Sequence, residues 1–561
     1  MRKTLIFACL LIATGAKAQV LHVNNSNGTY QAFDTKATER MTFNEEQRLV
    51  SIQLRDGDGI VTSRFNTEKV SSIAPTTDKA TKLEYDLNPN VTFDATELNG
   101  YDEIVETIIT DETNDESGDF VENYSTNRII TITFSETGVK TTSLPDGVTA
   151  TIDGSHIIIS STSSKIGYQI KGTCSNGSLK IYSEKKFRLL FNGITLTNPN
   201  GPAINIQSGK TVYASIVNGT TNTLCDGATY SAPAVDINGE EEDQKGTLFS
   251  EGQLIFDGYT NGTGTLNVTS LGGHAISSDD YIRVRGGNIN ILAAAKDGFR
   301  TKEKFIVART ASFAPTITIN ATGNGIECTE GTLTIEAGKI DITSAGDAIK
   351  VEYEEPEADP TVVPDAYIKG GCIRITTTDE KSSAIQTTRN YTQTGGVIHA
   401  EVKGNGSKII NCDGEVLISG GKLTGLSHGT IATDATSAGG IKCYGNINIT
   451  GGRIAIACSG KGSKGINCNS DVAIDGGNIT LVSKGENHTD SADDKKSRAI
   501  TATGNVTVTG GKVVASAYDN AIHATAITVN DGIVNAYSKS SGALGVDAVQ
   551  NGGWLLTKDA E

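Results

Sequence analysis

Four polar residues recur at one place in a repeating frame. His274, Asp297, Asn324 and Asp347 each stand two residues before an isoleucine or phenylalanine, namely Ile276, Phe299, Ile326 and Ile349. The positions just after those apolar residues read Ser277, Arg300, Glu327 and Lys350. If the frame stacks, Asp297, Asn324 and Asp347 form a column, with Glu327 beside it and Asp279 and Asp280 one repeat above. Carboxylates about 5 Å apart repel one another strongly unless something neutralises them. Calcium does so, taking about six to eight oxygen ligands in irregular geometry. Asp279, Asp280, Asp297, Asn324, Glu327 and Asp347 are therefore the candidate calcium ligands. The alternative is that the Asp and Asn side chains cap turns, as these residue types often do. Zinc does not suit the pattern, because no His/Cys cluster has the required spacing.

The frame is a repeat that runs through most of the chain. Gly-Gly followed by alternating apolar residues occurs at 286, 370, 395, 420, 451, 476 and 510. The steps 370 to 395, 395 to 420 and 451 to 476 are each 25 residues, and the longer steps carry insertions. Short apolar runs of period two with a glycine at the corner, repeated near 25 residues, are the signature of a β-solenoid. Helical repeats would need a 3.6-residue period, which is absent. The expectation is an all-β parallel β-helix from about Ile129 to the C-terminus, each coil holding about three strands. Cys412, Cys443 and Cys468 lie two residues after Ile410, Ile441 and Ile466, so they point inward with them. Buried cysteine acting as a small hydrophobe explains them, and column spacing also allows disulfides. Three insertions, Asp236–Lys245, Glu352–Asp365 and Glu486–Lys496, are polar or acidic and read as surface loops.

The ends differ from the repeat. Met1-Arg2-Lys3, the apolar run Leu5–Ala13 and Ala16-Lys17-Ala18 have the form of a cleavable signal peptide over residues 1–18. The run is too short to span a bilayer, and no later stretch is long and apolar enough to do so. A secreted, periplasmic or cell-surface location is expected. Residues 19–74 hold two similar β segments with turns at Asn27-Gly28 and Asp58-Gly59, and so form a small N-terminal β module. Residues 75–128 read as a polar, acidic linker leading into the coils. A net charge of -17 argues against nucleic acid and anionic membrane as partners.

One stretch carries a resemblance more specific than a generic solenoid. It runs through Ile166-Gly167-Tyr168, Leu189-Leu190-Phe191-Asn192-Gly193, Asn222-Thr223-Leu224-Cys225-Asp226-Gly227, Gly262-Thr263-Gly264-Thr265-Leu266 and Ala275-Ile276-Ser277-Ser278-Asp279-Asp280. This series resembles the secreted bacterial carbohydrate-binding β-helix family, whose fold is similar to polysaccharide lyase family 9. The likeness covers about residues 129–347 and more loosely the coils beyond. It implies a right-handed parallel β-helix that binds calcium and plant cell-wall polysaccharide such as polygalacturonate or cellulose. The N-terminal module and the longer run of C-terminal coils depart from the family.

Function then divides three ways. The first is a non-catalytic binding protein with no catalytic residues, in which calcium or local cations receive the glycan. Tyr281, Arg300, Lys302 and Lys350 are the candidate carbohydrate contacts, with Arg283 and Arg285 as further cations and Tyr259 and Phe299 as further aromatic candidates. The second is a calcium-dependent pectate lyase, which needs a base to take the C5 proton of a uronate. Lys302 or Lys350 would be that base. Each has carboxylates close in sequence, however, and these favour the charged ammonium. The third is a surface adhesin or structural spacer.

Overall fold

The computed structural model describes residues 20–56, 59–76, 79–80, 91–99, 103–235, 239–353, 361–489 and 494–560. The expected signal peptide, part of the Asp58-Gly59 turn and parts of the three insertions lie outside the described residues. The chain is all-β, with no α-helix among the described residues and short 3-10 turns only. It divides into two compact units, Thr92–Ala438 and Met1–Val91 with Gly439–Glu561.

The first unit, Thr92–Ala438, is built from repeating triplets of strands. Phe299–Thr301, Phe305–Val307 and Thr316–Ala321 make one rung. Ile326–Cys328, Leu333–Ile335 and Lys339–Ser344 make the next, and Ile349–Val351, Ala366–Ile368 and Cys372–Thr377 the one after. Each strand pairs in parallel, in register, with its counterpart in the next rung. This arrangement is β-solenoid-like. It follows from the alternation in the sequence. In Ile326-Glu327-Cys328, Ile349-Lys350-Val351 and Ile385-Gln386-Thr387 the outer pair is buried, and the middle residue, on the opposite face, is half-buried in the case of Lys350 and Gln386 and buried in that of Glu327. Glycine is required where the rung turns into its third strand. At Gly421 the backbone has φ +71, and an added Cβ would lie 2.2 Å from the Gly395 carbonyl oxygen of the rung before.

A second column explains the cysteines. The last residue of the triplet that holds Ile276, Phe299, Ile326 and Ile385 is Ser278, Thr301, Cys328 and Thr387. Each donates to a backbone carbonyl: Ser278 to Gly252 at 3.0 Å, Thr301 to Asp280 at 2.7 Å, Cys328 to Glu303 at 3.1 Å and Thr387 to Pro364 at 2.7 Å. Cys412 continues the series to the Arg389 carbonyl at 3.0 Å. The buried thiols are thus small donors in a column that also holds Ser278, Thr301 and Thr387, with Val351 between Cys328 and Thr387. No disulfide forms among the described residues.

The linker expected before the coils is an integral strap in this unit. Residues 103–127 lie across the strands that follow them. Glu106 N–H donates to the Arg309 carbonyl at 3.0 Å and Ile104 N–H to the Glu336 carbonyl at 3.1 Å. Further upstream, Phe93 stacks on His399 with centroids 5.0 Å apart, and Leu98 packs against Cys372 and Val397.

The second unit joins the N-terminal β strands to the last coils, which pair in parallel as the others do. The N-terminal strands, expected as a small β module, fall in one compact unit with those coils. Strands Thr38–Asn44, Leu49–Asp56 and Gly59–Asn66 form an antiparallel sheet whose last strand pairs with Trp554–Lys558. Phe33, Phe65 and the lone tryptophan, Trp554, share one core, and the Trp554 indole N–H donates to Thr29 at 2.7 Å. A solenoid's final rung leaves an open edge and an uncovered core. The N-terminal strands supply that cover.

Candidate functional site

The register places the predicted columns as the spacing requires. Arg300 is opposite Glu327, and Glu327 is opposite Lys350, on three successive parallel strands. Their side chains floor a cleft of about 590 Å³ whose walls are Thr329, Glu330, Glu352 and Tyr353. Glu330 and Tyr353 are joined by a β-bridge. The wall residues were not singled out from sequence, although the signal was there. Strand alternation carried two positions past Arg300, Glu327 and Lys350 leads to Lys302, Thr329 and Glu352.

The electrostatics of the cleft are those of a closed network. Arg300 Nε lies 3.2 Å from Glu327 Oε2. Lys350 Nζ lies 3.4 Å from Glu327 Oε1 and 2.5 Å from Glu352 Oε1. Burial, then the nearby Asp297 charge, pushes the Glu327 carboxyl up to about 7. Burial works against the Lys350 ammonium, but the hydrogen bond and charge of Glu352, with Glu327, outweigh it and hold Lys350 above its ordinary value. Lys302 stands at the margin, 3.4 Å from Glu330.

The expected calcium ligands are not brought into one shell. Asp279 is engaged by Lys245 at 2.6 Å, and Asp280 accepts from the Gln253 amide. Asp297 is paired with His274 at 2.9 Å and accepts the Asn324 backbone N–H at 2.7 Å. Asn324 Oδ1 accepts the Asp347 N–H at 3.0 Å, and Asp347 accepts the Ser383 N–H at 2.6 Å. The column is thus a ladder in which each side chain caps the backbone of the next rung. Asn324 also donates to Glu327 at 3.0 Å. Among the described residues no group of three or more His, Cys, Asp or Glu is placed to hold a metal ion. As arranged, these side chains engage backbone N–H groups, amides and cationic side chains.

Tyr281, Arg283 and Arg285 also leave the expected site. The chain turns between Ser278 and Ile282, so these residues belong to the face that the strap covers. Tyr281 donates its hydroxyl to Asp119. Arg283 lies 2.9 Å from Asp119 and 3.5 Å from Glu106, and Arg285 lies 2.5 Å from Glu106 and 2.8 Å from Glu122. The Phe120 ring sits 5.5 Å from the Arg283 guanidinium and 4.8 Å from that of Arg285. Phe299 is core, packed edge-on against Phe305 at 5.2 Å. Tyr259 is partly exposed and covers the Arg188 guanidinium at 5.2 Å.

Residues 153–464 and 429–542 match the family described as carbohydrate-binding domain-containing protein, and the chain belongs to that family. No curated protein matches the chain. Among solved structures, the polysaccharide lyase-like protein from C. thermocellum, a gadolinium derivative, is 22% identical. The alignment covers 52% of this chain and 96% of that one, with a TM-score of 0.36.

Proposed function

We propose that this is an exported, non-catalytic carbohydrate-binding protein whose coils close into a right-handed parallel β-helix. Its ligand is a plant cell-wall type polysaccharide held in the cleft of Arg300, Glu327 and Lys350. The observation that carries this reading is the cleft itself, lined by charged, hydroxyl and phenol groups, in a chain of a carbohydrate-binding family. Sugar hydroxyls both donate and accept, and such a lining offers both.

The lyase reading is weaker for a chemical reason. A base that takes a proton at neutral pH must itself be unprotonated. Lys350 is clamped between Glu327 and Glu352, which stabilise its ammonium. The test is calorimetric titration with soluble cell-wall glycans, alongside assay of polygalacturonate for the ultraviolet absorbance of an unsaturated product. Binding that is weakened at least tenfold by Lys350→Ala, without product, is the expected result. Product formed by the wild type and lost in Lys350→Ala would select the lyase.

A further inference from the structure

The column that floors the cleft does not end there. Lys350 is in register with Gln386, and Gln386 with Asn411, on the next two parallel strands of the same sheet. Ile385 and Thr387, and likewise Ile410 and Cys412, are buried on either side. Gln386 and Asn411 therefore project from the same outer face as Lys350, each half-buried. Neighbouring strands are about 4.8 Å apart, so Arg300 to Asn411 spans roughly 19 Å over four spacings. An extended sugar chain advances per residue by about one such strand spacing.

The chemistry changes along this row. Arg300, Glu327 and Lys350 are tied into ion pairs. Gln386 and Asn411 are uncharged, and one hydrogen bond links them, from Asn411 Nδ2 to Gln386 Oε1 at 2.6 Å. The Gln386 amide nitrogen and the Asn411 carbonyl oxygen make no other hydrogen bond among the described residues. A donor and an acceptor on adjacent rungs, held in place by their mutual bond, suit the hydroxyls of a sugar ring.

Resting on the carbohydrate-binding reading above, we infer that Gln386 and Asn411 form a second sugar subsite, so that the polymer runs along the stacking direction of the coils with about one sugar per rung. The first subsite is the cleft at Arg300 and Lys350. The second meets the sugar through its hydroxyls. A ligand reaching both gains affinity through linkage rather than through stronger single contacts. A polymer lying along a single strand would meet one subsite only.

The test uses the full chain, titrated with cellobiose and cellohexaose and with the di- and hexasaccharides of galacturonate. Wild-type affinity should rise at least tenfold from disaccharide to hexasaccharide in one of the two series. Gln386→Ala with Asn411→Ala should leave disaccharide binding unchanged and remove that gain, with melting temperature close to wild type because both side chains are partly exposed. Length-independent binding, or a double variant that keeps the gain, would overturn the second subsite while leaving the cleft intact. Absence of all binding in the wild type, or normal disaccharide binding in Arg300→Ala with Lys350→Ala, would overturn the carbohydrate-binding reading of the cleft, and the second subsite with it.

Discussion

Arg285 and Glu122, 163 residues apart in sequence, are joined by two hydrogen bonds, Nη1 to Oε2 at 2.8 Å and Nη2 to Oε1 at 3.1 Å. Glu106 takes the remaining Nε at 2.5 Å, so the buried guanidinium is satisfied entirely by the strap. Removing one partner of a buried charge leaves the other uncompensated, at about 3–5 kcal/mol. Glu106 is the more buried acid, 9% exposed against 36% for Glu122. Glu106→Ala should therefore destabilise the Thr92–Ala438 unit by several kcal/mol, and Glu122→Ala by about 1 kcal/mol. Urea unfolding with hydrogen exchange of the strap would read both, and equal small effects would show the strap to be a loose cover.

The upstream end of the strap should respond to acid. Burial is the main reason that His399 titrates below its ordinary value, although Glu97 at 3.5 Å opposes the shift. Arg374 adds to the lowering, and Asp94 works with Glu97 against it. The folded state thus binds fewer protons than the unfolded state, and its stability falls as pH drops below the unfolded histidine value of about 6.5. Amide protection around residues 93–98 should decline across that window. His399→Phe keeps a ring to stack on Phe93 and should remove the decline.

The coils were legible because a period-two strand inside a 25-residue repeat leaves one consistent register, and that register placed Arg300, Glu327 and Lys350 in a row. The strap and the cover of the last coil were not legible. Both rest on pairings over long sequence separations, Glu106 with Arg285 and Phe65 with Trp554, for which local periodicity carries no signal. The acidic character of the strap was visible, but its purpose depended on arginines that the sequence offered equally to a ligand. For the Asp297–Asn324–Asp347 column both readings were visible. What separates them is where the oxygens point, and that is toward the backbone N–H of the next rung.

The lone tryptophan gives a direct probe of the unit that holds both chain ends. Trp554 is 1% exposed and packs against Phe65 with centroids 5.6 Å apart. Its fluorescence should be blue-shifted in the native state and shift red as this unit opens. Phe65→Ala should cost about 3–5 kcal/mol in that transition. A fluorescence midpoint unmoved by Phe65→Ala would mean that the N-terminal strands do not stabilise the final rungs.

Asp347 separates the two uses of the acidic column. Its carboxyl is pushed up to about 6, chiefly by burial, and its hydrogen bond is to the Ser383 backbone N–H at 2.6 Å. A carboxyl whose folded value exceeds its unfolded value of about 3.8 costs stability increasingly as pH rises from about 4 to 6, and the cost is full above that. An amide oxygen keeps the hydrogen bond without the charge. Asp347→Asn should therefore match or exceed wild-type stability at pH 8, and the difference should shrink toward pH 4. Asp347→Ala, which leaves the N–H without its acceptor, should lose about 1–3 kcal/mol at either pH. Neither the wild type nor the variants should change melting temperature between calcium and chelator. A ligand that binds only the folded state raises that temperature, so a rise with calcium that disappears in Asp347→Asn would show the column to be a metal site rather than a backbone cap.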